Sequence, residues 1–391
     1  MPTTLPHSTT AAPALYMALE LSADEWLLTF ATGPGSAHRR VKVAARDAAA
    51  VLAAVARAQA RFRLPADTPV RSCYEAGRDG FWVHRWLTAQ GLTNLVVDPA
   101  SIEVNRRARR AKTDRLDGSG LVRQLCRWYG GEREVWKVVS VPPAEAEDLR
   151  QPVRERLELV EERTRLVNRM RGLLAGVGAV IDGPVSAATD LGGVRQWDGR
   201  PLPEGLRARL DRDRARLAVL ERQVADLENA ERRAVREGAT PQVEQVRRLL
   251  GVRGVGPRSA WLLVRELIGW RAGLTPKQAG SLAGLCPTPY ASGATAREQG
   301  ISKAGSKRVR WAMTELAWCW LRYQPGSALS QWYAARYGAG GARHRKVGIV
   351  ALARKLLGAL LRLATTGEVP AGAATRDWSV TVGGRPRAAT A

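Results

Sequence analysis

Short apolar runs separated by turn-forming residues dominate the first hundred positions of the chain. The segments LYMALEL, EWLLTFAT and RRVKVAA predict three short strands in a β-meander. Further along, VRSCYEAG and TNLVVDPA predict two more strands, and ARDAAAVLAAVARAQARF and FWVHRWLTAQG predict the helices around them. Strands that alternate with helices indicate an α/β layer whose later strands run parallel. Side chains at the carboxyl ends of those strands can then converge on one crevice.

Helical periodicity replaces this alternation between residues 143 and 237. Two sets of apolar positions recur at helical spacing, and Asp213 occupies one seam position of the second set. The sets are Leu149, Val153, Leu157, Val160, Val167 and Leu174, and then Leu206, Leu210, Leu217, Leu220, Val224 and Leu227. The Gly- and Pro-rich stretch between them predicts a loop or chain reversal. Two structures stay open, a helical hairpin within one chain and a self-associating coiled coil, because both bury the same stripe.

A third block, from residue 245 to about residue 366, is predicted to be mostly helical, with loops at GLTPKQAG, CPTPYASGATAREQG and YGAGGARHR. Its small and polar continuation, AGAATRDWSVTVGGRPRAATA, is typical of disorder. The patterns together predict a disordered N-terminus over 1–14, an α/β domain over 15–142, a helical coiled-coil domain over 143–240, a mainly α domain over 241–368 and a disordered tail over 369–391.

The charge of the chain changes this picture by pointing to a partner. Lys and Arg number 61 against 37 Asp and Glu, which gives a formal net charge of +24. Such an excess favours a nucleic acid, because each phosphate that a cation neutralises releases counterions. A general abundance of Arg, Ala and Gly accounts for part of it. Four scattered cysteines without a CxxC pair argue against structural zinc and disulfides. Without an apolar run of about 20 residues or a signal peptide, we predict a cytoplasmic, nucleoid-associated protein.

Four acidic residues of the first domain are candidate metal ligands. Glu20 lies within the first predicted strand, Glu75 ends a later one, and Asp114 and Asp117 begin a helix three positions apart. Residues with that spacing share a helix face, and carboxylate oxygens suit Mg²⁺. Two such ions about 3.5–4 Å apart would stabilise the attacking and leaving oxygens of a phosphoryl transfer. A structural interpretation stays open, in which Asp114 caps the helix, Asp117 favours its dipole and Glu75 is a surface acid.

Several segments are predicted to contact a phosphate backbone. A basic run precedes the acidic pair, and LLGVRGVGPRSAWLLVREL resembles a helix-hairpin-helix, whose glycines and helix-start amides suit phosphate. A plain helix-turn-helix corner is the alternative for the latter. The nucleic-acid-binding candidates are Arg106, Arg107, Arg109, Arg110, Lys112, Gly254, Gly256, Lys303, Lys307, Arg308, Arg310, Arg343, Arg345 and Lys346.

A serine in a glycine-containing turn is the candidate nucleophile. Ser292 lies in YASG, where Gly293 permits a bend that exposes the hydroxyl, and several of the cationic candidates follow it. Serines in such turns also serve turn chemistry alone, so the segment by itself leaves both roles open. Trp311, Trp318 and Trp320 in the next helix are predicted to pack against other helices.

Taken in order, these segments resemble the DEDD transposases of bacterial insertion sequences, a family of serine recombinases associated with a bridge or seeker RNA. The resemblance covers most of residues 15–366. It rests on YMALEL, YEAGRDGFWVHRWL, VVDPASIEVNRRARRAKTDRLDG, GVRGVGPRSA and GLCPTPYASGATAREQGISKAGSKRVR, of which KTDRLD and the GL-x-P, SG and SKAG arrangement are the most specific.

The resemblance implies a RuvC-like (RNase H-like) first domain, a coiled-coil middle and a transposase domain that completes the active site. It implies a metal-binding tetrad of Glu20, Glu75, Asp114 and Asp117, with Mg²⁺ or Mn²⁺ as cofactor, and Ser292 as catalytic nucleophile. Glu20 departs from the family, which usually has Asp there. The resemblance further implies transesterification of donor and target DNA that a guide RNA selects, in a homo-oligomer, a dimer or tetramer.

Two other functions remain compatible with the residues themselves. One is a structure-selective endonuclease resembling a Holliday-junction resolvase, in which the acids activate water and Ser292 is only a turn residue. The other is a non-catalytic nucleic-acid scaffold in which Glu20 marks a decayed metal site. Loss of a covalent protein–DNA product in Ser292→Ala would separate recombination from the first, and Mg²⁺-dependent cleavage would eliminate the second.

Overall fold

The computed structural model describes residues 13–102, 114–181, 183–292 and 295–383, with the backbone alone at 114–117, 290–292, 295–298 and 381. The chain divides after Val141 into two compact units, here called the N-terminal and the C-terminal unit. This division lies close to the first predicted domain boundary, and the further boundary near residue 240 stays a prediction. None of the helices in the described ranges is long and apolar enough to cross a membrane.

The N-terminal unit is an α/β domain built on one five-stranded sheet with the order β3-β2-β1-β4-β5. The first three strands are antiparallel neighbours, and β1, β4 and β5 run parallel. The elements are β1 (Leu15–Leu21), β2 (Glu25–Ala31), β3 (Arg39–Ala44), α1 (Ala48–Arg61), β4 (Val70–Glu75), α2 (Trp82–Ala89), β5 (Thr93–Val97) and α3 (Asp114–Tyr129). The predicted mixed α/β domain is thereby confirmed.

Helices cover both faces of this sheet. Successive side chains of a strand point to opposite faces, and both sets are apolar in β1, so each face needs a cover. Leu15, Met17 and Leu19 point to one face and pack with residues of α1 and α2. Tyr16 and Ala18 point to the other face and pack with residues of α3. Helix α1 begins where the Asp47 carboxylate accepts a 2.8 Å hydrogen bond from the amide of Ala50.

The C-terminal unit is mainly helical. Its elements are α4 (Ala144–Asp148), α5 (Gln151–Ala175), α6 (Glu204–Glu237), α7 (Pro241–Leu250), α8 (Pro257–Leu263), α9 (Pro276–Leu282), β6 (Pro287–Ser292), β7 (Thr295–Ile301), α10 (Lys307–Tyr323), α11 (Ala328–Tyr333), α12 (Ala342–Thr366) and α13 (Trp378–Thr381). Single π-helical turns at Val264–Ile268 and Ala334–Gly338 extend α8 and α11. One core joins α7, α8, α10 and α12.

Helices α5 and α6 form an antiparallel hairpin within the chain. The Arg169 guanidinium binds the Asp213 carboxylate with N–O distances of 2.7 and 3.1 Å. Farther along the pair, Arg156 Nε lies 3.7 Å from Glu231 Oε2. Residue numbers therefore rise on one helix as they fall on the other. The buried Asp213 of the predicted seam is satisfied by a partner in the same chain.

Several expectations about the C-terminal unit are wrong. GLTPKQAG and YGAGGARHR, predicted as loops, contain the starts of α9 and α12. CPTPYASGATAREQG, predicted as a loop, contains the β-hairpin of β6 and β7. The predicted disordered tail is ordered over 369–383, because Arg376 donates to the carbonyls of Leu250 at 2.9 Å and Val255 at 2.6 Å. Residues 384–391 of that tail, and 1–12 of the predicted disordered N-terminus, lie outside the described residues. Trp320 is buried as predicted, but Trp311 and Trp318 are exposed.

A buried ionic cluster joins the helical hairpin to the turn after α8. Glu231 is 4% exposed, and its Oε1 lies 4.0 Å from Arg265 Nη1, while Arg156 approaches its other oxygen. Burial raises the pKa of Glu231, and attraction to Arg156 and Arg265 opposes that rise. Burial also lowers the pKa of both arginines. The Glu231 carboxylate is therefore the main counter-charge of both buried guanidinium groups.

We expect Glu231→Gln to lower the free energy of unfolding by about 3–5 kcal/mol, because it leaves Arg156 and Arg265 buried without a counter-charge. The matched control is Glu228→Gln one helical turn earlier, whose partner Arg258 is 57% exposed. That change should cost about 0–1 kcal/mol. Urea unfolding of the two variants measures the difference, and equal losses would contradict the assignment.

Candidate active site

The register of the parallel strands places Glu20 and Glu75 side by side. Ala18 of β1 pairs with Cys73 of β4, and Leu19 pairs with Tyr74, so Glu20 and Glu75 occupy the next position on each strand. Adjacent strands lie about 4.8 Å apart, and laterally paired residues point to the same face of the sheet. Two acids that are 55 positions apart in the sequence are thereby neighbours at the carboxyl ends of two strands. This is the crevice position that the sequence predicts.

The start of α3 packs on this same face. A Cβ atom placed on Gly118 would lie 2.6 Å from Thr29 Oγ1 and 3.0 Å from Glu20 Oε1. Thr29 is the cross-strand partner of Ala18, two residues before Glu20, and Glu20 Oε1 is itself buried. The absence of a side chain at Gly118 therefore allows the helix backbone to approach the carboxylate. Glycine is an otherwise unfavourable choice within a helix.

Asp114 and Asp117 belong to the first turn of α3, immediately before Gly118. Their backbone is part of the helix whose Gly118 packs against Glu20. Their side chains lie outside the described residues. Among the side chains that are described, no group of three or more His, Cys, Asp or Glu residues forms a metal site. The structure thus places two of the four predicted acids together and puts the backbone of the other two in the helix turn that precedes Gly118.

Basic residues that sequence reasoning did not assign lie along the same edge of α3. Arg40 of β3, which pairs with Thr29, donates a 2.5 Å hydrogen bond to Ser119 Oγ, and Arg123 Nε donates to the Ser119 carbonyl at 3.0 Å. The pKa of His38 is lowered, first by burial and then by repulsion from Arg123 and Arg40. Cations beside carboxylates suit a phosphodiester substrate. For Arg40 the signal in the sequence is the charge of RRVKV, which the strand prediction leaves unassigned.

We expect Gly118→Ala to lower the free energy of unfolding by about 1–3 kcal/mol, since the new methyl group overlaps Thr29 Oγ1. Gly120→Ala is a matched control in the same helix, because a Cβ there meets no atom within 4 Å. It should stabilise by about 0.5–1 kcal/mol. Adding Thr29→Ala to Gly118→Ala should restore part of the loss. Denaturant titration tests this contact, and a loss of equal size at both glycines would refute it.

Ser292 is the last residue of β6, at the tip of the β-hairpin. Its backbone pairs with Thr295 of β7, and the two residues between them lie outside the described part of the chain. The tip position agrees with the turn that YASG predicts. The Ser292 side chain is not among those described, so its role stays a prediction.

The base of this hairpin is held by the two segments that resemble the family most specifically. The amides of Ser302, Lys303 and Ser306 donate to the carbonyls of Cys286, Gly284 and Leu282 at 2.9, 3.2 and 2.7 Å. Gly284 and Gly305 have φ values of +66° and +101°, and a Cβ on either would collide with the backbone of the opposite segment. The AGLCP and SKAG segments are thus one structural unit that anchors the strand carrying Ser292.

The four cationic candidates after Ser292 have different surroundings. Arg310 Nη1 donates to the carbonyls of Ala283 at 3.2 Å and Lys303 at 3.0 Å, so it also braces the hairpin base. Arg308 lies 3.8 Å from Glu158. Lys303 and Lys307 are exposed. The phosphate contact stays a prediction, and these two are the best placed of the four to make it.

The predicted helix-hairpin-helix corresponds to α7, a tight turn and α8. Gly254 has a φ of +86°, and a Cβ there would lie 3.3 Å from Tyr323 Cβ, so this position requires glycine. Gly256 caps α8, and a Cβ on it would meet open space. The carbonyl of Arg253 accepts a 2.9 Å hydrogen bond from the side-chain amide of Gln324. The turn is therefore held at Arg253 and Gly254, and its Gly256 side is open.

The last cationic candidates begin the long helix α12. Arg343, Arg345 and Lys346 are exposed in its first turns, and no acid occupies the first turn. Cations are unfavourable at that end of a helix, so helix stability does not explain them. The remaining candidates, Arg106, Arg107, Arg109, Arg110 and Lys112, lie outside the described residues.

Two family models match segments of the chain. Residues 35–178 match the DEDD transposase model of the IS110 type, and residues 246–332 match the transposase family IS116/IS110/IS902. Glu75, Asp114 and Asp117 fall within the first match and Ser292 within the second, whereas Glu20 precedes both.

Individual relatives extend this likeness over the chain. The protein y4rJ of Sinorhizobium fredii, which carries the name transposase, is 42% identical over 380 residues, covering 92% of this chain and 94% of that one. The transposase for insertion sequence element IS1328 of Yersinia enterocolitica is 29% identical over 219 residues, 55% of this chain and 62% of that one. With its two domains matched and a relative of this identity along most of its length, the chain belongs to the IS116/IS110/IS902 family of transposases.

Proposed function

We propose that this transposase cuts and rejoins DNA by transesterification, with Ser292 as nucleophile and a divalent cation, Mg²⁺ or Mn²⁺, bound by Glu20, Glu75, Asp114 and Asp117. The observation that carries the proposal is the register of β1 and β4, which brings Glu20 beside Glu75 on the face where α3 begins. Separate structural roles for Glu20 and Glu75 do not account for their adjacency at the strand ends. DNA as the substrate follows from the family.

The donor set fits a hard cation. Carboxylate oxygens are the ligands that Mg²⁺ and Mn²⁺ prefer. The buried Glu20 Oε1 lies against Gly118, the residue that directly follows Asp117 in α3. A buried carboxylate gains more from a nearby cation than an exposed one does. When bound, the cation would supply Lewis-acid stabilisation to the oxygens whose bonds to phosphorus form and break.

The chain's own residues divide the remaining work. The Ser292 oxygen would bond to phosphorus as the bond from phosphorus to one DNA oxygen breaks, with a proton lost from the serine and one gained by the departing DNA oxygen. A hydroxyl of the exchanging strand then attacks the phosphoserine and releases the serine. Each step replaces one phosphodiester bond by another, so the bond energy is retained without a nucleotide cofactor.

The basic residues would hold the nucleic acids by their backbones. Supporting this are the exposed Arg343, Arg345 and Lys346, the exposed Lys303 and Lys307, and the open side of the turn at Gly256. A net charge of +24 provides the general attraction. We propose the same role for the basic run before Asp114 and, in part, for Arg308 and Arg310. Base selection by a guide RNA would leave the protein to recognise shape and backbone.

A cleavage assay with the purified full-length protein, its co-purified RNA and plasmid DNA tests the chemistry. In Mg²⁺ or Mn²⁺ we expect DNA joined covalently to protein, and none in EDTA. Hydrolysed ends without an adduct would instead support the structure-selective endonuclease. No cleavage in either metal would support the scaffold. Sequencing of the co-purified RNA tests guidance, for which one discrete structured species is expected and a random mixture would count against it.

A further inference from the structure

The outward face of α10 carries four exposed side chains at helical spacing, here called the α10 stripe: Trp311, Glu315, Trp318 and Arg322. The Trp311 and Trp318 rings are 56% and 48% exposed, whereas Trp320 of the same helix is buried. Spacings of four, three and four residues place all four side chains on one face. Large exposed aromatic residues of this kind are typical of the centres of protein interfaces.

The charges of the stripe are not used by any residue in the described part of the chain. Among the described residues no ion pair engages Glu315 or Arg322, and Arg322 lies only over the neighbouring Tyr323 ring, 5.6 Å from its centroid. The carboxylate of Glu315 stands between the two tryptophans. It would repel the phosphates of a strand whose bases stacked on those rings. A nucleic acid is therefore a poor occupant for this face.

The order of charges along the α10 stripe is self-complementary, so the stripes of two copies can pair. Glu315 and Arg322 are seven residues apart, about 10.5 Å along the helix axis, and Trp318 lies near their midpoint. When a second α10 lies antiparallel across a two-fold axis at that midpoint, Glu315 of each copy faces Arg322 of the other. The two Trp318 rings then meet near the axis. Such a contact is isologous, since the same patch serves both copies.

We propose that the α10 stripe is a two-fold contact between two copies of this transposase, formed by a Trp318 pair flanked by two Glu315–Arg322 ion pairs. In the same two-fold arrangement, Trp311 of one copy covers Pro325 of the other. Pro325 is also exposed. One helix face buries less than the roughly 800 Å² per partner of a standard interface. The contact alone is therefore weak, with a dissociation constant in the micromolar range, and it orients copies that DNA or RNA also brings together.

Sedimentation equilibrium of the nuclease-treated full-length protein at about 0.15 M salt tests the contact. Glu315→Arg and Arg322→Glu should each weaken self-association by about tenfold or more, because every reversal creates two like-charge contacts. The double swap should restore association to within about threefold of the wild type. Trp318→Ala should weaken it by about tenfold or more. Glu155→Arg, a reversal of an exposed acid on α5, should change nothing, and the melting temperatures should stay equal.

Four results would overturn the proposal. The wild type could stay monomeric up to tens of micromolar, or the single reversals could associate as well as the wild type. The double swap could also remain as weak as the single changes. Tryptophan variants that lose affinity for single-stranded DNA with unchanged association would show a nucleic-acid platform in place of a contact between copies.

Discussion

Ser292→Ala is expected to abolish the covalent protein–DNA product and to lower strand exchange by a factor on the order of 10⁴ or more. The change removes the oxygen that would bond to phosphorus and leaves the strand that carries it. Ser292 ends β6 and pairs through its backbone with Thr295, so alanine adds no bulk to the hairpin. The base of that hairpin, held at Gly284 and Gly305, is distant in sequence from the change. End-labelled DNA on a denaturing gel measures adduct and product together.

Ser302→Ala is the matched control for this result. Ser302 follows β7, is exposed, and binds the Cys286 carbonyl through its backbone amide, so losing its hydroxyl leaves that bond in place. It should keep nearly full activity. If Ser292→Ala still yields a covalent adduct, the nucleophile is another residue. Continued cleavage with hydrolysed ends would make water the nucleophile.

Glu20→Gln and Glu75→Gln are each expected to lower metal-dependent cleavage by a factor on the order of 10³. A bound cation contributes several kcal/mol of charge stabilisation, and each 1.36 kcal/mol corresponds to a factor of ten. Glutamine keeps the shape and removes the charge, so the fold at the sheet edge should persist. Calorimetric titration with Mn²⁺ should show weaker binding in both variants before any DNA is added.

Glu132→Gln is the control acid for the tetrad. Glu132 lies just after α3, is exposed and pairs with the surface residue Arg127 at 2.8 Å. Its loss should leave Mn²⁺ binding unchanged and cost at most about 1 kcal/mol of stability. If Glu20→Gln and Glu75→Gln bound Mn²⁺ as tightly as Glu132→Gln does, the two strand-end acids would not form a metal site.

The N-terminal sheet was predictable because its signals are local. Nearly continuous apolar runs define β1 and β2, alternating apolar positions define β3, and helices flank the mixed segments of β4 and β5. The meeting of Glu20 with Glu75 follows from strand direction and was expected only in outline. The pairing of Leu19 with Tyr74 is a tertiary fact that fixes which residues become neighbours.

Two elements of the C-terminal unit, the β-hairpin and the ordered tail, could not be predicted from apolar patterns because polar contacts contribute much of their stability. Pro287, Pro289 and Gly300 conceal the β-hairpin, because proline and glycine normally interrupt strands. The ordered tail offers few apolar residues, and hydrogen bonds from Arg376 hold it against the turn after α7. Such bonds leave no periodic signal in a sequence.

Charges at helical positions were equally hard to place. Arg156 and Glu231 lie in strongly charged helices and would be assigned to solvent, yet both are buried against each other and Arg265. Leu149, counted in the predicted apolar stripe, is 44% exposed instead. Trp311 and Trp318 are of a residue type that is usually buried, yet both are exposed. Packing partners decide these outcomes, and no single segment contains both partners.

Peptide mapping of the trapped protein–DNA product tests the central claim most directly. The adduct formed in Mg²⁺ would be digested with protease and nuclease, and the modified peptide identified by mass spectrometry. We predict a nucleotide phosphate on Ser292, found in the wild type and missing from Glu20→Gln and Glu75→Gln. Cleaved DNA that accumulates with no modified peptide, or a phosphate attached to a different residue, would contradict the account.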